Sequence, residues 1–448
     1  MKVDPSGEVI VVGAGIAGLT AAHRLVAAGL QVKVLEAAAE PGGRMSTRSL
    51  GGGLMEQGAQ FLSTAYEIVP DLLRTVGLSE KVVGITGQTV VLTDGRAWRI
   101  NTDQPSSFLS GGLIRARDIY STARGLWSTR KLADRRKNDL AQWGDLDDFP
   151  ALEWAHARFG AGLTRRVLIP TINGLFFQDL ADNSAVLPGA FAAYSAHRPK
   201  AFTLHGGLGS LTNALAAALD VEYHVRVERV RRPSTPGGHV ALTTSTGPRE
   251  AAAVVIATPA GPTAGMLAEQ TQDETEVLST PYGCEVLVGL ALNEPLAEDE
   301  LSGAYGVLAT PDSMSALAAI AVYSRADPAA GSEVVTLMLR QDASRRLMAA
   351  DDAEIRAAAI GAATPLIPAL ASRVTESHVT RWHQALPYMR LGHAAAVQRY
   401  RERLPAHSPV LMAGDHLGFP WSDSAAFNGR WAADRLIADR TGQPASDG

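Results

Sequence analysis

One stretch near the start of the chain, VIVVGAGIAGLTAAHRLVAAGLQVKVLE, restricts the fold more than any other. Its apolar run Val9–Val12 is typical of a strand that is buried on both faces of a parallel sheet. The apolar spacing from Leu19 to Val26 is helical, Gly29 ends that helix, and residues 31–35 form a second apolar run. The stretch therefore predicts a strand, a crossover helix and a second, parallel strand.

Three glycines and one acid indicate that this unit binds a ligand. Gly13 permits the tight turn, Gly15 lets a pyrophosphate approach the backbone, and Gly18 lets the helix lie close to the strand. The helix then presents free N–H groups and the positive end of its dipole to the phosphates. Glu36, 18 residues after Gly18, can accept hydrogen bonds from ribose hydroxyls. The pattern predicts a dinucleotide site and disfavours a glycine-rich turn that binds nothing.

Length and composition exclude several classes of protein. The 448 residues exceed one ordinary core, so two domains are expected, and a net charge of −5 gives no indication of nucleic-acid binding. The sequence has one cysteine, Cys284, which excludes a disulfide framework and a cysteine-based zinc site, and we predict no metal site. No apolar run reaches the ~18–20 residues of a membrane span, and no signal peptide fits before the first strand. We therefore expect a soluble protein of the cytoplasm.

Two segments that follow the first unit have the composition of ligand-binding turns. Gly42-Gly43-Arg44 combines close backbone approach with a cation for a phosphate or a ring edge, although an ordinary turn with a solvated arginine fits as well. Residues 54–61 place Glu56 and two glutamines among apolar side chains. This mixture favours a loop that lines a ligand over the alternative, an edge strand with one polar face.

Between residues 106 and 160 the pattern becomes helical and polar. Its basic residues are Arg115, Arg117, Arg124, Arg130, Lys131, Arg135, Arg136 and Lys137. Acids are interspersed among them, which favours a solvated helical face over a face that docks on a membrane or a partner.

The later part of the chain returns to the character of the first unit. A proline-broken, aromatic segment, 168–177, fits either the wall of an apolar pocket or ordinary core packing. Residues 252–257 and 410–413 are apolar runs typical of buried strands, and the second leads into Gly414-Asp415 and a final helix. A glycine–acid pair at the end of a strand suits a phosphate or a polyol. We therefore expect the parallel sheet to collect strands from separated parts of the chain.

Four segments in this order resemble the flavin-containing amine oxidase superfamily. They are the GxGxxG unit with Glu36, the Gly42-Gly43-Arg44 turn, the Gly206-Gly207 helix start, and Ala413-Gly414-Asp415 with Gly429-Arg430. A later run is most similar to the protoporphyrinogen oxidase branch, and it consists of Trp382, Ala385-Leu386-Pro387 and Gly392-His393. The resemblance implies an α/β fold with a discontinuous, Rossmann-like FAD-binding domain. It also implies a second, α+β substrate domain with a mixed sheet and a helical insertion.

The resemblance and the patterns together suggest domain bounds. We expect the FAD-binding domain to consist of residues 1–80, 201–265 and 380–448. The substrate-binding domain would consist of residues 81–200 and 266–379, with 105–185 mainly helical.

The resemblance also assigns residues to FAD, which would be bound non-covalently because no cysteine lies at the usual attachment position. Glu36 would hold the adenosine ribose, Val227 would touch the adenine, and Gly414 and Asp415 would contact the ribityl chain and the phosphates. The final helix, with Asp423 in its first turn, would direct its positive end to the reduced ring. The expected cofactor contacts are Gly13, Gly15, Ile16, Ala17, Gly18, Glu36, Ala37, Gly43, Arg44, Met45, Gln57, Gly58, Ala59, Gln60, Val227, Thr258, Trp382, Gly414, Asp415, Asp423, Ser424 and Ala425.

The expected substrate contacts lie beside the flavin. Trp421 with either Trp382 or Tyr388 resembles the aromatic cage of the amine oxidases, whose walls stabilise positive charge by cation–π attraction. The alternative for Trp421 is that it merely packs under the flavin ring. The catalytic candidates are Glu56, Gln60, Tyr194, Trp382, Tyr388 and Trp421, with Asn173 and Phe176 as further substrate-facing candidates.

One position departs from the amine oxidase pattern. Those enzymes usually place a lysine, which holds a water against flavin N5, on the strand after Pro281-Tyr282-Gly283. That position is Leu287 here, and the sequence has no lysine after Lys200. The departure puts ordinary amine oxidase activity in doubt without excluding oxidase chemistry.

The function predicted from these features is that of an FAD-dependent oxidase or dehydrogenase. It would remove hydride from a carbon activated by nitrogen or by conjugation in a small, largely apolar molecule, giving an imine or an alkene. Porphyrinogen oxidation, and oxidation of an amine or amide nitrogen in secondary metabolism, are alternatives. Two further alternatives are a non-catalytic FAD-binding scaffold that docks a partner through residues 115–137, and an NAD-dependent dehydrogenase. Beside the substrate, O2 is a candidate electron acceptor and a homodimer a candidate assembly.

Overall fold

The computed structural model of the protein describes residues 7–104, 106–135, 138–235, 237–314 and 316–441. Arg136 and Lys137 of the basic region, and the outer ends 1–6 and 442–448 of the expected FAD-binding domain, lie outside these residues.

The strands of the described residues are, in chain order, β1 (Val9–Val12), β2 (Val32–Leu35), β3 (Thr47–Leu50), β4 (Gly53–Glu56), β5 (Leu62–Ser63), β6 (Val82–Gly84), β7 (Gln88–Thr93), β8 (Arg96–Asn101), β9 (Ala201–Leu204), β10 (Val221–Glu222), β11 (Val227–Arg231), β12 (Val240–Thr244), β13 (Gly247–Ala251), β14 (Ala253–Ile256), β15 (Tyr282–Leu292), β16 (Gly306–Ala309), β17 (Leu317–Val322), β18 (Val334–Leu339), β19 (Val374–Pro387) and β20 (Val410–Met412).

The α-helices are α1 (Ile16–Ala27), α2 (Val69–Thr75), α3 (Ser107–Ser110), α4 (Ile119–Thr129), α5 (Ala151–Leu163), α6 (Ile169–Phe176), α7 (Val186–Ser195), α8 (Gly209–Ala217), α9 (Ala260–Met266), α10 (Gln272–Leu278), α11 (Gln341–Leu347), α12 (Asp352–Ala363), α13 (Leu370–Arg373), α14 (His393–Arg403) and α15 (Ser422–Thr441).

A five-stranded parallel sheet has the order β10-β2-β1-β14-β20. Strand β1 pairs with β2 and β14, with Val9 opposite both Val32 and Ala253, and all four residues of β1 are buried. Since both faces of these strands are covered, their continuous apolar runs are the expected composition. The prediction that this sheet collects strands from separated parts of the chain is confirmed.

The segment from Val221 to Val230 is divided between two sheets. It divides into β10, which joins the parallel sheet, and β11, which pairs antiparallel with β12. His224, between the two strands, has φ of 60°, a left-handed conformation that interrupts an extended backbone. The sequence pattern of alternating apolar residues does not reveal this break.

Two glycines let α1 approach its neighbours closely. A Cβ atom on Gly18 would lie 2.0 Å from the carbonyl oxygen of Gly13, so the helix packs directly on the glycine turn as predicted. A Cβ atom on Gly429 of α15 would lie 2.0 Å from the carbonyl oxygen of Ala17. Helices α1 and α15 are therefore in backbone contact.

A seven-stranded mixed sheet has the order β19-β15-β18-β17-β16-β7-β8, in which β16 and β7 are parallel and the other pairs are antiparallel. Val286 and Val288 of β15 pack with the buried side chain Ile355 of α12 on one face. Leu287 packs with Met55 of β4 on the other face. This second face, referred to below as the inner face, lies toward the glycine-rich segments of the first sheet.

Strand β19 has 14 residues and is the longest strand of the described part of the chain. It runs antiparallel to β15 over the whole length of β15, with Glu285 opposite Trp382 and Leu287 opposite Thr380. The register shifts between Gly283 and Glu285, which marks an irregularity near the end of the pair. The mixture of polar and apolar residues in this segment hid the strand in the sequence.

The described residues of the segment 105–185 are mainly helical, as expected, and of the basic residues of this region Arg124 lies on α4. Tyr120 is 79% exposed and Trp127 is 68% exposed, so the face of α4 is not solely polar. None of the helices in the described ranges has the length and apolar character needed to cross a lipid bilayer.

The fold class predicted from the sequence, α/β with a mixed sheet and a helical insertion beside a parallel sheet, is confirmed. The domain bounds stay a prediction.

Candidate functional site

The site predicted from the glycines lies where three parallel strands end. Gly13 follows β1, Thr258 follows β14, and Gly414 follows β20. A Cβ atom on Gly13 would lie 3.4 Å from Cγ2 of Thr258, and one on Gly414 would lie 3.8 Å from the carbonyl oxygen of Thr258. The structure therefore brings together glycines that are about 400 residues apart in sequence, at the edge of the sheet where open α/β folds bind ligands.

The N-terminus of α1 opens into this edge. Gly15 occupies the N-cap position without a side-chain cap, and a Cβ atom there would meet nothing within 4 Å. A Cβ atom on Gly43 would have Gly15 Cα, at 3.9 Å, as its neighbour, and the backbone N–H of Gly42 donates to the Ala14 carbonyl at 2.8 Å. The first N–H groups of α1, at Ile16 and beyond, thus face an open cradle between two glycine turns, which suits a phosphate.

Glu36 lies at the end of β2, as predicted. Its carboxylate accepts hydrogen bonds from the backbone N–H of Ala14 at 2.7 Å and of Ala38 at 2.8 Å, which fixes it beside the glycine turn. The backbone carbonyl of Glu36 accepts from the N–H of Val225 at 2.9 Å. Val225, which follows β10, therefore lies beside Glu36, and the contact of Val227 with the adenine stays a prediction.

The two valines belong to different parts of the fold. Val227 pairs with Thr244 in a different sheet, after the turn at His224. The position of Val225 beside Glu36 follows from the register of β10 with β2, which depends on the fold and not on local sequence.

The two segments predicted to bind a ligand, Gly42-Gly43-Arg44 and residues 54–61, form one unit, referred to below as the ligand-turn unit. The N–H of Gln57 donates to the Ser46 carbonyl and the N–H of Ala59 donates to the Arg44 carbonyl, each at 2.9 Å. A Cβ atom on Gly58 would lie 2.2 Å from the carbonyl oxygen of Arg44, so a glycine is required at this crossing. Met45 is buried between them. The segment after β4 is thus a loop, as the ligand-lining interpretation predicts, while β4 itself ends at Glu56.

Arg44 and Asp415 join these turns to the end of β20. Nη1 of Arg44 donates to Oδ2 of Asp415 at 2.5 Å and to the carbonyl of Ala385 at 2.6 Å. The hydroxyl of Tyr282 donates to Oδ1 of Asp415 at 2.7 Å. Burial and the adjacent charge of Asp415 raise the pKa of Tyr282 well above its usual value, so Tyr282 keeps the proton that it donates. Sequence reasoning did not identify Tyr282 as a site residue, because its partner lies 133 residues away.

A buried histidine follows Asp415. His416 is fully buried, and neither ring nitrogen finds a hydrogen-bond partner among the described residues. Burial lowers its pKa to about 4, so the ring is neutral. A Cβ atom on Gly414 would lie 3.2 Å from Nδ1 of His416. A polar ring without partners at the carboxyl edge of the sheet is consistent with a site that is completed by a bound ligand.

Two side chains at the start of α15 hold neighbouring loops of the protein. Oδ1 of Asp423 accepts from the backbone N–H groups of Ile68 and Val69, each at 2.8 Å, at the start of α2. The hydroxyl of Ser424 accepts from the N–H of Phe419 at 2.9 Å and donates to the carbonyl of Asn138 at 3.1 Å.

The contact of Asp423, Ser424 and Ala425 with the cofactor stays a prediction. The dipole expected at these residues requires a helix, and a long helix begins at Ser422 as predicted. A carboxylate that accepts several backbone N–H groups is recognisable only once the fold brings α2 beside α15.

Three of the substrate-facing candidates form one aromatic group. The rings of Phe176 and Tyr194 lie 6.4 and 6.1 Å from the ring of Trp421. Trp421 also stacks on Phe419 with ring centroids 4.6 Å apart, and its indole N–H donates to Oδ1 of Asn138 at 2.9 Å. The aromatic group of Phe176, Tyr194, Phe419 and Trp421 is therefore held rigidly at the start of α15.

Trp382 and Tyr388 contact other parts of the molecule. The indole N–H of Trp382 donates to the carbonyl of Gln57 at 2.6 Å, so Trp382 touches the ligand-turn unit. The hydroxyl of Tyr388 is hydrogen-bonded to the side chain of Gln341. Neither ring is among the ring contacts of Trp421, and a cage formed by Trp421 with one of them stays a prediction.

Glu56 is buried and hydrogen-bonded within the protein. It is 1% exposed, and its two oxygens accept from the hydroxyl of Thr47 and the backbone N–H of Leu208, each at 2.8 Å. Burial raises its pKa to about 8. These contacts tie β4 to the start of α8, and the catalytic role of Glu56 stays a prediction.

Gln60 and Asn173 are likewise engaged with the protein. The side-chain amide of Gln60 donates to the carbonyl of Gly58 at 2.9 Å, and the carbonyl of Gln60 accepts from the hydroxyl of Tyr305 at 2.9 Å. Oδ1 of Asn173 accepts from Nη1 of Arg340 at 2.8 Å. Gln60 thus anchors the ligand-turn unit on the mixed sheet, and Asn173 fixes α6 on the same sheet.

The family follows from comparison with known proteins. The family described as flavin containing amine oxidoreductase matches residues 16–437. The chain belongs to this family. As in the other members, FAD is the cofactor and the protein is an oxidoreductase, which removes the two alternatives of an NAD-dependent dehydrogenase and a non-catalytic scaffold.

Two similar proteins are coproporphyrinogen III oxidases. The one from Mycobacterium tuberculosis strain H37Rv is 27% identical, over 91% of this chain and 92% of its own length. The one from Bacillus subtilis is 22% identical, over 92% and 94%. These relatives confirm the predicted resemblance to the porphyrinogen oxidase branch. The solved structure of cyclohexylamine oxidase from Brevibacterium oxydans has a TM-score of 0.74 at 19% identity and covers 97% of this chain and 99% of its own, which shows the shared fold.

The residues at the carboxyl edge of the parallel sheet fit FAD. The uncapped N-terminus of α1, the open space at Gly15 and the unpartnered ring of His416 suit the phosphates and the polyol chain, and Glu36 suits a ribose. When bound, FAD supplies the acceptor for a hydride. The protein must then hold the donor carbon in place and keep water away from it.

Proposed function

We propose that this oxidoreductase removes a hydride from a carbon bonded to nitrogen, or from a conjugated carbon, in a small and largely apolar molecule. The observation that carries the proposal is the contact between Trp382 and Gln57. The indole of Trp382 stands on the apolar inner face of the mixed sheet and donates to the ligand-turn unit at 2.6 Å. A substrate lying on that face would be positioned against the flavin by apolar contacts.

The residues assigned to FAD in this proposal are those at the edge of the parallel sheet. Glu36 and Val225 would bind the adenosine, and the N-terminus of α1 would bind the pyrophosphate. The Arg44–Asp415 pair and Gly414 would support the ribityl chain and the ring. Cys284 is the sole cysteine of the sequence and lies on β15, so non-covalent binding is part of the proposal.

The aromatic group at Trp421 would form the second wall of the substrate site. The rings of Phe176, Tyr194 and Phe419 all pack against the ring of Trp421. Such rings exclude water and attract a positive charge that develops on the substrate. A hydride transfer does not require a titratable group on this wall.

The test is direct. We expect the purified protein to show flavin absorbance, and we expect that absorbance to bleach without oxygen when a substrate is added. The panel would contain primary and secondary alkylamines, arylalkylamines and coproporphyrinogen III. A protein that binds flavin but is bleached by none of these compounds would contradict the proposal.

Porphyrinogen oxidation is the second candidate function. It is favoured by two relatives of that activity whose similarity extends over more than nine-tenths of the chain. Bleaching by coproporphyrinogen III and not by any amine in the same panel would select it.

Three further points belong to this proposal. O2 is the candidate acceptor for reoxidation, although Leu287 stands where amine oxidases usually have a lysine. The rate at which O2 reoxidises the anaerobically reduced flavin tests whether O2 is the acceptor. A homodimer would be detected by light scattering of the purified protein. A cytoplasmic location would be tested by fractionation of the source cells.

A further inference from the structure

One buried asparagine joins the helical insertion to the start of α15. Asn138 is 2% exposed, and its Nδ2 atom donates to Oδ2 of Asp423 at 2.7 Å. Its Oδ1 atom accepts from the indole N–H of Trp421 at 2.9 Å, and its backbone carbonyl accepts from the hydroxyl of Ser424 at 3.1 Å. Three residues at the beginning of the last helix therefore contact one residue that lies 283 to 286 positions earlier in the chain.

The two side-chain partners of Asn138 depend on it to different degrees. The carboxylate of Asp423 also accepts from three backbone N–H groups, those of residues 67–69, so it stays hydrogen-bonded without Asn138. The indole N–H of Trp421 has Asn138 as its one hydrogen-bond partner among the described residues. An indole N–H can only donate, so the carbonyl oxygen of the Asn138 side chain is the group that this ring requires.

The residue after Asn138 extends the contact along α15. The carboxylate of Asp139 pairs with the guanidinium of Arg401 on α14, and Nη2 of Arg401 donates to Oδ1 of Asn428 at 2.6 Å. Asn428 lies six residues after the first residue of α15, in its second turn. Asn138 and Asp139 thus connect the helical insertion to the first two turns of α15, which gives Asn138 a firm position relative to the Trp421 ring.

The other ring contacts of Trp421 are apolar. The rings of Phe176, Tyr194 and Phe419 lie 6.4, 6.1 and 4.6 Å from it, between ring centroids. Contacts of this kind keep the ring buried but allow it to slide or tilt, whereas a hydrogen bond has a preferred direction. The direction in which the Trp421 indole points is therefore determined by its bond to Asn138.

We propose that Asn138 is a positioning residue for the reaction, which sets the orientation of the Trp421 ring and thereby the alignment of the substrate with the flavin. Asn138 itself would touch neither the substrate nor FAD. Hydride transfer depends steeply on the placement of the donor carbon, so a tilted wall slows the reaction more than it weakens binding. This inference rests on the proposed function, in which the aromatic group at Trp421 forms the second wall of the substrate site.

The first experiment observes the indole N–H directly, in heteronuclear magnetic resonance spectra of the isotope-labelled, FAD-loaded protein. The Trp421 resonance is identified by its absence from the spectrum of Trp421→Phe. Asn138→Leu should move this proton resonance to the lower chemical shift of an indole N–H without a hydrogen bond, because leucine has a similar volume and no acceptor. Asn138→Ala, which adds no methyl group to the buried site, should give the same change and replaces Asn138→Leu if that variant does not fold.

The second experiment measures the limiting rate of anaerobic flavin reduction by the best compound of the panel, together with the dissociation constant of that compound. Asn138→Leu should lower the limiting rate about fivefold or more and change the dissociation constant less than about twofold. In a protein that already carries Trp421→Phe, adding Asn138→Leu should change the rate less than about twofold, because the phenyl ring has no N–H for Asn138 to hold.

The matched control is Asn183→Leu. Asn183 also belongs to the helical insertion and is 2% exposed. Its Oδ1 atom accepts from the N–H of Met389 at 2.9 Å, and its Nδ2 atom donates to the carbonyl of Asp179 at 3.0 Å. Asn183→Leu therefore removes as many side-chain hydrogen bonds from a buried site, but it should leave the Trp421 resonance and the limiting rate at their wild-type values.

Two results would overturn the inference. One is a Trp421 resonance that Asn138→Leu leaves unchanged. The other is a loss of rate of the same size with and without Trp421→Phe, which would assign the effect of Asn138 to its contact with Asp423 and to the fold. Failure of every compound to reduce the flavin would instead be a failure of the proposed function, and the Trp421 resonance would then decide the inference alone.

Discussion

Arg44 and Asp415, 371 residues apart in sequence, are in direct contact, with Nη1 of Arg44 2.5 Å from Oδ2 of Asp415. The side chain of Asp415 is 6% exposed and that of Arg44 is 28% exposed, so the pair is largely shielded from water. The contact locks the turn after β2 against the end of β20. It therefore determines whether the edge of the parallel sheet keeps the shape that FAD requires.

Asp415→Asn should destabilise the protein and weaken FAD binding together. Removing one charge leaves the Arg44 guanidinium without its counter-charge, at an expected cost of about 3 kcal/mol in the free energy of unfolding. Chemical denaturation and the ratio of flavin to protein after purification measure the two effects. The control is Asp434→Asn, since Arg24–Asp434 is a pair whose arginine is 44% exposed and whose loss should cost less than about 1 kcal/mol. Equal effects of the two variants would refute the prediction.

Glu56→Gln should remove a loss of stability that the wild type undergoes as the pH rises from about 4.5 to 8. The folded protein holds the Glu56 proton up to about pH 8, whereas the unfolded chain releases it near pH 4.5. The stabilisation is therefore complete below about pH 4.5 and is lost, at about 1.4 kcal/mol per pH unit, as the pH rises toward 8. Urea denaturation at pH 5 and pH 8 measures the free energy of unfolding of both proteins. Relative to the wild type, the variant should be more stable at pH 8 than at pH 5. A difference that is independent of pH would contradict this role.

His393→Gln should reduce the acid sensitivity of the fold. The ring nitrogens of His393 contact the hydroxyl of Thr280 and the carbonyl of His416, each at 2.9 Å, and burial lowers its pKa to about 3. The unfolded chain binds a proton below about pH 6.5, so the stability is complete above that pH and is lost as the pH falls toward 3, at about 1.4 kcal/mol per unit. The free energy of unfolding should fall less between pH 6.5 and pH 4.5 for His393→Gln than for the control variant His156→Gln, whose site on α5 is exposed.

Trp382→Phe should slow the reduction of bound flavin about tenfold without loss of FAD. The phenyl ring cannot donate a hydrogen bond to the Gln57 carbonyl, so the ligand-turn unit loses this anchor. Stopped-flow reduction by the best compound of the panel measures the rate. Trp98→Phe is the matched control, since Trp98 also donates to a backbone carbonyl, that of Thr93 at 3.2 Å, but in the hairpin of β7 and β8. If both variants reduce the flavin equally fast, the assigned position of Trp382 is incorrect.

The parallel-sheet unit was predictable because its signals are local. Val9–Val12, the three glycines and Glu36 lie within 28 residues, and each has its role through neighbours in sequence. Features that depend on a distant partner were not predictable. Asp423 has the composition of a helix start, yet its carboxylate binds the N-terminus of α2, which lies more than 350 residues earlier. The position of Val225 beside Glu36 was not predictable for the same reason, because the register of the two-residue strand β10 is determined by the sheet that it joins.

The contact of α1 with α15 has a consequence for how the protein is made. Strand β1 and helix α1 are synthesised about 400 residues before β20 and α15, which complete the sheet and cover α1 at Gly429. The cradle for the cofactor is therefore incomplete on a nascent chain until these later elements have been added. We expect FAD to bind only after the synthesis of α15, and a supply of FAD at that stage to favour the native state by mass action.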